Sequence, residues 1–173
     1  PWPSYNPKKA STLLRSVGYC GEKKLILPFT FRSNVPADKL LALTWQSQIK
    51  RDLGECMQLI LDGVESITVY RQLGKGAFDS VMLDWRGAYP HPSAYLYPLL
   101  SCTKAVDSIC EEGEAVASGS FWTSQSIQDD LTLSDQLLGE ESFTVLNIVE
   151  KAASRASAYL PVWLVTPKVW VQN

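Results

Sequence analysis

The segment Asp84-Trp85-Arg86-Gly87-Ala88-Tyr89-Pro90-His91-Pro92 gathers side chains able to hold a small molecule: two aromatic faces, a guanidinium, and a backbone shaped by Gly and Pro. Aromatic rings offer rigid apolar area, and a guanidinium forms charge-assisted bonds to ligand oxygens. The segment follows Ser80 to Trp85, whose near-continuous apolar run Val81-Met82-Leu83 reads as a strand covered on both faces. Open α/β sheets place ligands just beyond the carboxyl ends of their strands, in partly dry clefts. The competing reading is that Trp85 and Tyr89 only pack the sheet end while Pro90 and Pro92 stiffen a turn.

Other chemistry finds less footing. Gly74-Lys75-Gly76 invites a phosphate loop, but its spacing fits neither G-x-G-x-x-G nor G-x-x-x-x-G-K-[ST], and it follows a helix pattern instead of a strand. A plain turn is the better reading. A serine or cysteine nucleophile needs a base, and the one imidazole, His91, sits between two prolines with no G-x-S-x-G elbow anywhere. We read it as a solvent-facing or packing histidine. Asp129/Asp130 and Glu111/Glu112 are sequence neighbours whose side chains diverge, so nothing proposes a facing carboxylate pair. The four cysteines (Cys20, Cys56, Cys102, Cys110) form no C-x-x-C pair, and zinc spacing is absent. Cys102 and Cys110 share the loop-like stretch Ser101 to Ser120 and either close a small ring in an oxidising compartment or, like the other two, stay as buried thiols. No catalytic residue, metal or cofactor is expected.

Several elements must position that segment. Asn6 caps a helix that opens with Pro7, carries an apolar stripe of Ala10, Leu13, Leu14 and Val17, and ends at Gly18. Leu25 to Phe31 reads as a strand in which Pro28 signals an edge or bulge. Asn34 to Leu53 reads as a helix with Leu41, Trp45, Ile49 and Leu53 on one face and Lys39, Gln46, Lys50 and Arg51 toward water. Cys56 to Leu61 is a short strand, Ser66 to Leu73 a third helix, and Ser80 to Trp85 a third strand. This alternation predicts an α/β lobe with an open, mostly parallel sheet and flanking helices. The second half is more helical, with Ser93 to Leu100, Ser124 to Leu138 and Glu140 to Ala156, and closes on an extended aromatic segment from Tyr159 to Val171. No internal repeat or interdomain linker interrupts the chain, so residues 1–173 read as a single partial domain.

The 173 residues are 46% hydrophobic and 20% charged, which excludes collagen-like, coiled-coil and disordered classes. Sixteen basic residues against 18 acidic give a formal net charge of −2. Nucleic acid or an anionic membrane surface demands a basic excess, so neither is an expected partner. No apolar run is long enough to span a bilayer, and the given sequence does not open on a charged stretch followed by an apolar one. The start at Pro1-Trp2-Pro3, without Met, suggests a processed product or an excised piece.

In order along the chain, Asn6-Pro7, Lys9-Ala10, Leu13-Leu14 and Gly18-Tyr19 are followed by Gly76-x-Phe78-Asp79. Trp85-x-x-x-Tyr89-Pro90-x-Pro92, then Leu96, Pro98 and Leu99, and finally Tyr159-Leu160-Pro161 complete the series. This series resembles the C-terminal lobe of the extracytoplasmic solute-binding proteins of peptide/nickel-type ABC importers. The resemblance implies a periplasmic-binding-protein-like lobe, one jaw of a two-lobed receptor that captures peptide or a similar small solute for import. It also implies a monomer, periplasmic or lipid-anchored, whose partners are the solute and the membrane permease subunits. The N-terminal lobe has no counterpart in the sequence, so the chain is expected to be a fragment unable to enclose ligand alone.

The resemblance further implies a ligand wall of Trp85 and Tyr89 for stacking and Arg86 as a charged anchor, with Thr30 and Arg32 at the end of the first strand as additional lining residues. Two departures matter. Peptide-binding members carry an aspartate for the ligand's α-ammonium where this chain has Ala88, and an acidic residue where it has His91. Alanine cannot compensate a buried cation. A ligand that is neutral, anionic or bound some other way is therefore favoured, and Asp84, which strand alternation points away from the Trp85 face, replaces the aspartate at best in part. Two alternatives remain: a small α/β enzyme with its cleft at the same strand ends, and an interaction module docking through Tyr159 to Trp170.

Overall fold

The computed structural model describes residues 4–163. Helix α1 (Pro7–Ser16) starts as its capping residues dictate: the Asn6 side-chain oxygen accepts from the Lys9 N–H at 2.9 Å, and Pro7 occupies the first turn. Its apolar stripe is not buried, however. Leu13 and Val17 are more than half exposed, and α1 is tied down instead at its far end, where Cys20 forms a disulfide with Cys56.

Strand β1 (Leu25–Arg32) and strand β2 (Met57–Val64) pair in parallel, Leu25 opposite Met57 through Arg32 opposite Val64. Helix α2 (Pro36–Leu53) connects them and covers one face. Phe29, Phe31, Ala42 and Leu59 form the core of this layer, with Trp45 edge-on to Phe29 at 5.3 Å between ring centroids. Gln46 does not face water as its place in the pattern suggested; its amide reaches across to the Leu59 carbonyl at 3.0 Å. Helix α3 (Ser66–Leu73) follows β2.

The expected third strand, Ser80 to Trp85, is reduced to one parallel bridge between Val81 and Thr30. The reason lies in β1. Its Leu25 N–H and the N–H of the following Ser33 donate to the β2 side, whereas the Thr30 N–H points the other way, to the Ser80 carbonyl at 2.9 Å. Pro28 shares the parity of Thr30 and has no N–H to give, so the ladder cannot extend backwards; the Ser80 hydroxyl caps the Pro28 carbonyl instead.

Helix α4 (Ser93–Leu100) opens the second half. The stretch 101–120, expected to be a loop, holds an antiparallel hairpin of β3 (Lys104–Val106) and β4 (Ile109–Glu112), then the single turn α5 (Glu114–Ala117). The Cys102–Cys110 disulfide fastens that hairpin, and with Cys20–Cys56 also joined no cysteine is free. Helices α6 (Gln125–Gln136) and α7 (Glu140–Ala156) pack with α4 around Leu100, Ile127, Leu131, Leu146, Val149 and Ala153. The halves meet where Gly119, at φ +80°, lies under Leu73: a Cβ there would sit 2.6 Å from the leucine Cδ1. The fold is thus a mixed α/β lobe with a small parallel sheet and a helical second half.

Candidate functional site

The segment after the Val81 bridge leaves the sheet. The Met82 N–H makes the last bond to β1, at 2.9 Å to the Thr30 carbonyl. Asp84 then turns back toward the sheet end, while the residues beyond it face out. The Asp84 carboxylate accepts from Arg32 and lies 3.3 Å from the Tyr70 hydroxyl. Arg32 is itself held bidentately by Asp38 of α2, Nε to Oδ2 at 2.7 Å and Nη2 to Oδ1 at 3.1 Å, and its Nη1 reaches the Tyr70 hydroxyl at 3.0 Å. The hydrogen bond from Asp38 outweighs desolvation and pushes the Arg32 pKa up. Partial burial alone would push the Asp84 carboxyl up, but the bond and charge of Arg32, helped by Tyr70, win and hold it below the usual carboxylate range.

Past Asp84 the side chains open to solvent. Trp85 donates its Nε1–H to the Ala94 carbonyl at 3.2 Å yet keeps 42% of its surface exposed. Arg86 projects outward, its side chain 87% exposed and its Nε 3.9 Å from Asp84 Oδ2. Gly87 lies so close to α4 that a Cβ would come within 2.7 Å of the Tyr95 ring. Ala88 is exposed. Tyr89 is 53% exposed, its hydroxyl 3.0 Å from the Ser93 hydroxyl. His91 is half-buried and packs 5.0 Å from the Phe143 ring, while its Nδ1 accepts from the Ser93 N–H at 3.3 Å. Beside it lies a shallow hollow of about 240 Å³, lined in part by His91, Ser93, Asp135 and Ser142.

The structure therefore brings Trp85, Arg86, Ala88 and Tyr89 onto one exposed turn at the sheet end. It keeps Thr30 and Arg32 off that surface: Thr30 is 4% exposed within the bridge, and the Arg32 side chain is 8% exposed with its guanidinium engaged. The partnership of Arg32 with Asp38 and Tyr70 went unread in the sequence. The available signal was a charged residue closing the apolar run Leu25 to Phe31, since a buried guanidinium requires carboxylate partners. At the other end of the chain, Tyr159 donates its hydroxyl to the Leu99 carbonyl at 2.8 Å, and Leu160, Val162 and Trp163 are exposed. The remainder of the aromatic segment, 164–171, lies outside the described residues. Among the described residues no three His, Cys, Asp or Glu side chains gather as a metal site.

Comparison with known proteins places this geometry in context. Residues 1–107 match the family model described as bacterial extracellular solute-binding proteins, family 5 Middle. No curated protein matches. Among solved structures, the Escherichia coli murein tripeptide binding protein MppA is similar over 88% of this chain, with a TM-score of 0.71 and 22% identity. Haemophilus influenzae OppA, solved in complex with RPPGFSPFR, is similar over 86%, at 0.72 and 16% identity. Campylobacter jejuni NikZ, in complex with Ni(L-His), is similar over 89%, at 0.64 and 19% identity. The chain spans only 27%, 27% and 31% of those three proteins. With the family model covering well over half of its residues, this chain belongs to the family 5 bacterial extracellular solute-binding proteins.

Proposed function

We propose that the chain is one lobe of a two-lobed extracytoplasmic receptor that captures a small solute, a peptide or a similar molecule, and hands it to the permease of an ABC importer. Family membership supports the capture, and the cargoes named for its structural relatives, a murein tripeptide, a nonapeptide and a nickel–histidine complex, mark out the range of solutes. The receptor acts as a monomer, periplasmic or lipid-anchored. It binds without chemistry, closing on its ligand by a hinge between lobes. The alternative of a small α/β enzyme draws no support from family membership.

The single observation that carries the site is the exposed turn of Trp85, Arg86, Ala88 and Tyr89 at the end of the sheet. Trp85 and Tyr89 offer stacking area, and Arg86 is the outward charge. The charge of Asp84 is offset by Arg32 at one oxygen and by Arg86, 3.9 Å from the other, so the turn presents no uncompensated negative charge to a cationic group. The solute therefore presents a neutral or anionic group to this wall. Thr30 and Arg32 support the wall from behind instead of touching the solute.

The test is calorimetric titration of the full-length receptor with a panel of short peptides and nickel–histidine. For whichever panel member binds, Trp85→Ala weakens affinity by more than about tenfold, as expected for a central aromatic contact, while the melting temperature changes little. Unaltered affinity in that variant removes the turn as the site.

A further inference from the structure

We propose that Arg32 is a positioning residue for the 84–89 turn: its buried guanidinium fastens the root of the turn, through Asp84, to α2 and α3, and so sets where the Trp85 and Tyr89 rings point. The inference rests on the reading of that turn as a ligand wall. Three observations carry it.

The first is the lack of a backbone ladder. Among the described residues, none from Leu83 to Ala88 takes part in a backbone–backbone hydrogen bond; the last bond to the sheet is that of Met82, and the next along the chain is from the His91 N–H to the Tyr89 carbonyl. A segment without a ladder follows the path that its side chains dictate. Here the side-chain ties are Asp84 to Arg32 and Tyr70 at the root of the turn, and Trp85 to the Ala94 carbonyl and Tyr89 to the Ser93 hydroxyl further along it.

The second is the geometry of the guanidinium. Arg32 spends Nε and Nη2 on the two oxygens of Asp38, and Nη1 on both Tyr70 and Asp84. A planar fork can hold three elements at fixed angles at once, which the single ammonium of lysine cannot do. One residue of β1 thereby joins the start of α2, the middle of α3 and the first residue of the turn.

The third is the division of burial within the cluster. Arg32 and Asp38 are 8% and 3% exposed in their side chains, while Asp84 is 51% exposed. The Arg32–Asp38 pair thus stays charge-compensated inside the lobe whether or not Asp84 is present, and Asp84 is the detachable arm. Arg86, 3.9 Å from its other oxygen, adds a weaker outward tie.

The test is backbone amide NMR relaxation on the full chain, without ligand, for wild type, Asp84→Ala, Asp84→Asn and Arg32→Lys. Order parameters of about 0.85 mark a rigid backbone and values below about 0.6 a flexible one. In wild type the amides of 84–89 sit near the rigid value; in Asp84→Ala they fall below about 0.6, while those of Met57–Leu61 and Val145–Val149 stay at about 0.85. Asp84→Asn, which keeps an acceptor for Nη1, falls in between, and Arg32→Lys resembles Asp84→Ala. Order parameters at 84–89 that are unchanged in Asp84→Ala, or that fall only in step with the two core segments, overturn the positioning role. Because no ligand enters this measurement, its failure is distinct from the failure of the ligand-wall reading, which an unaltered affinity in Trp85→Ala would reveal.

Discussion

The two halves of the lobe are held by different physics. In residues 93–156, α4, α6 and α7 enclose Leu100, Ile127, Leu131, Leu146 and Val149, all but fully buried, in an apolar core. In residues 25–84, α2 covers only one face of a two-stranded sheet, Ile26 and Ile60 remain about half exposed, and a buried ion cluster occupies the sheet end. An apolar core loses stability with the area and volume removed. A buried ion pair adds little net stability over an apolar substitute, but breaking it by removing one partner is severe. The difference teaches where each half is vulnerable: the helical half to cavities, the sheet half to unpaired charge and to acid. The exposed turn hangs from the second kind of anchor.

The largest effect that separates the halves comes from Arg32→Ala. It strands Asp38, 2% exposed, and should destabilise the fold by about 3–5 kcal/mol in a urea titration. A loss below about 1 kcal/mol would mean that the cluster is not desolvated and would erase the contrast. Ile127→Ala comes next, costing about 2–5 kcal/mol by cavity formation at a site with 0% exposure. That loss should be insensitive to pH and salt, because no charge is involved.

The pH dependence sharpens the contrast further. The Asp84 carboxyl titrates below its ordinary range in the folded state, so its contribution is present above the unfolded value near 4 and fades as pH falls through the lower folded value. The melting-temperature gap between wild type and Asp84→Asn should therefore narrow as the pH is taken below about 4. With the side chain half exposed, solvent screens this contribution and the gap is small. A gap that widens in acid would reverse the sign and sink the assignment. The smallest effect belongs to α1, where Asn6→Ala removes a cap bond for about 1 kcal/mol or less, since the helix buries no residue.

Much of this was legible in local sequence. The capping pair Asn6-Pro7, the four-residue spacing of Leu41, Trp45 and Ile49, and the stop at Gly74 act over a few residues, and α1, α2 and α3 appear close to where those signals put them. The turn from Trp85 to Tyr89 was likewise visible as a concentration of aromatic and charged side chains between glycine and prolines. The hairpin of β3 and β4 was not, because its strands of three and four residues are too short to display an alternation.

What the sequence determined by itself was therefore local: the main helices, the parallel pair β1 and β2, and the composition of the turn. Tertiary structure decided which distant groups meet. Cys20 found Cys56 across 36 residues, Pro28 silenced the one edge on which a third strand would have grown, and Arg32, a ligand candidate by its position at a strand end, became enclosed by Asp38, Tyr70 and Asp84. Periodicity and capping report on neighbours within a turn or a pleat. Burial and charge pairing depend on which elements pack together, and that is settled only when the whole chain has folded.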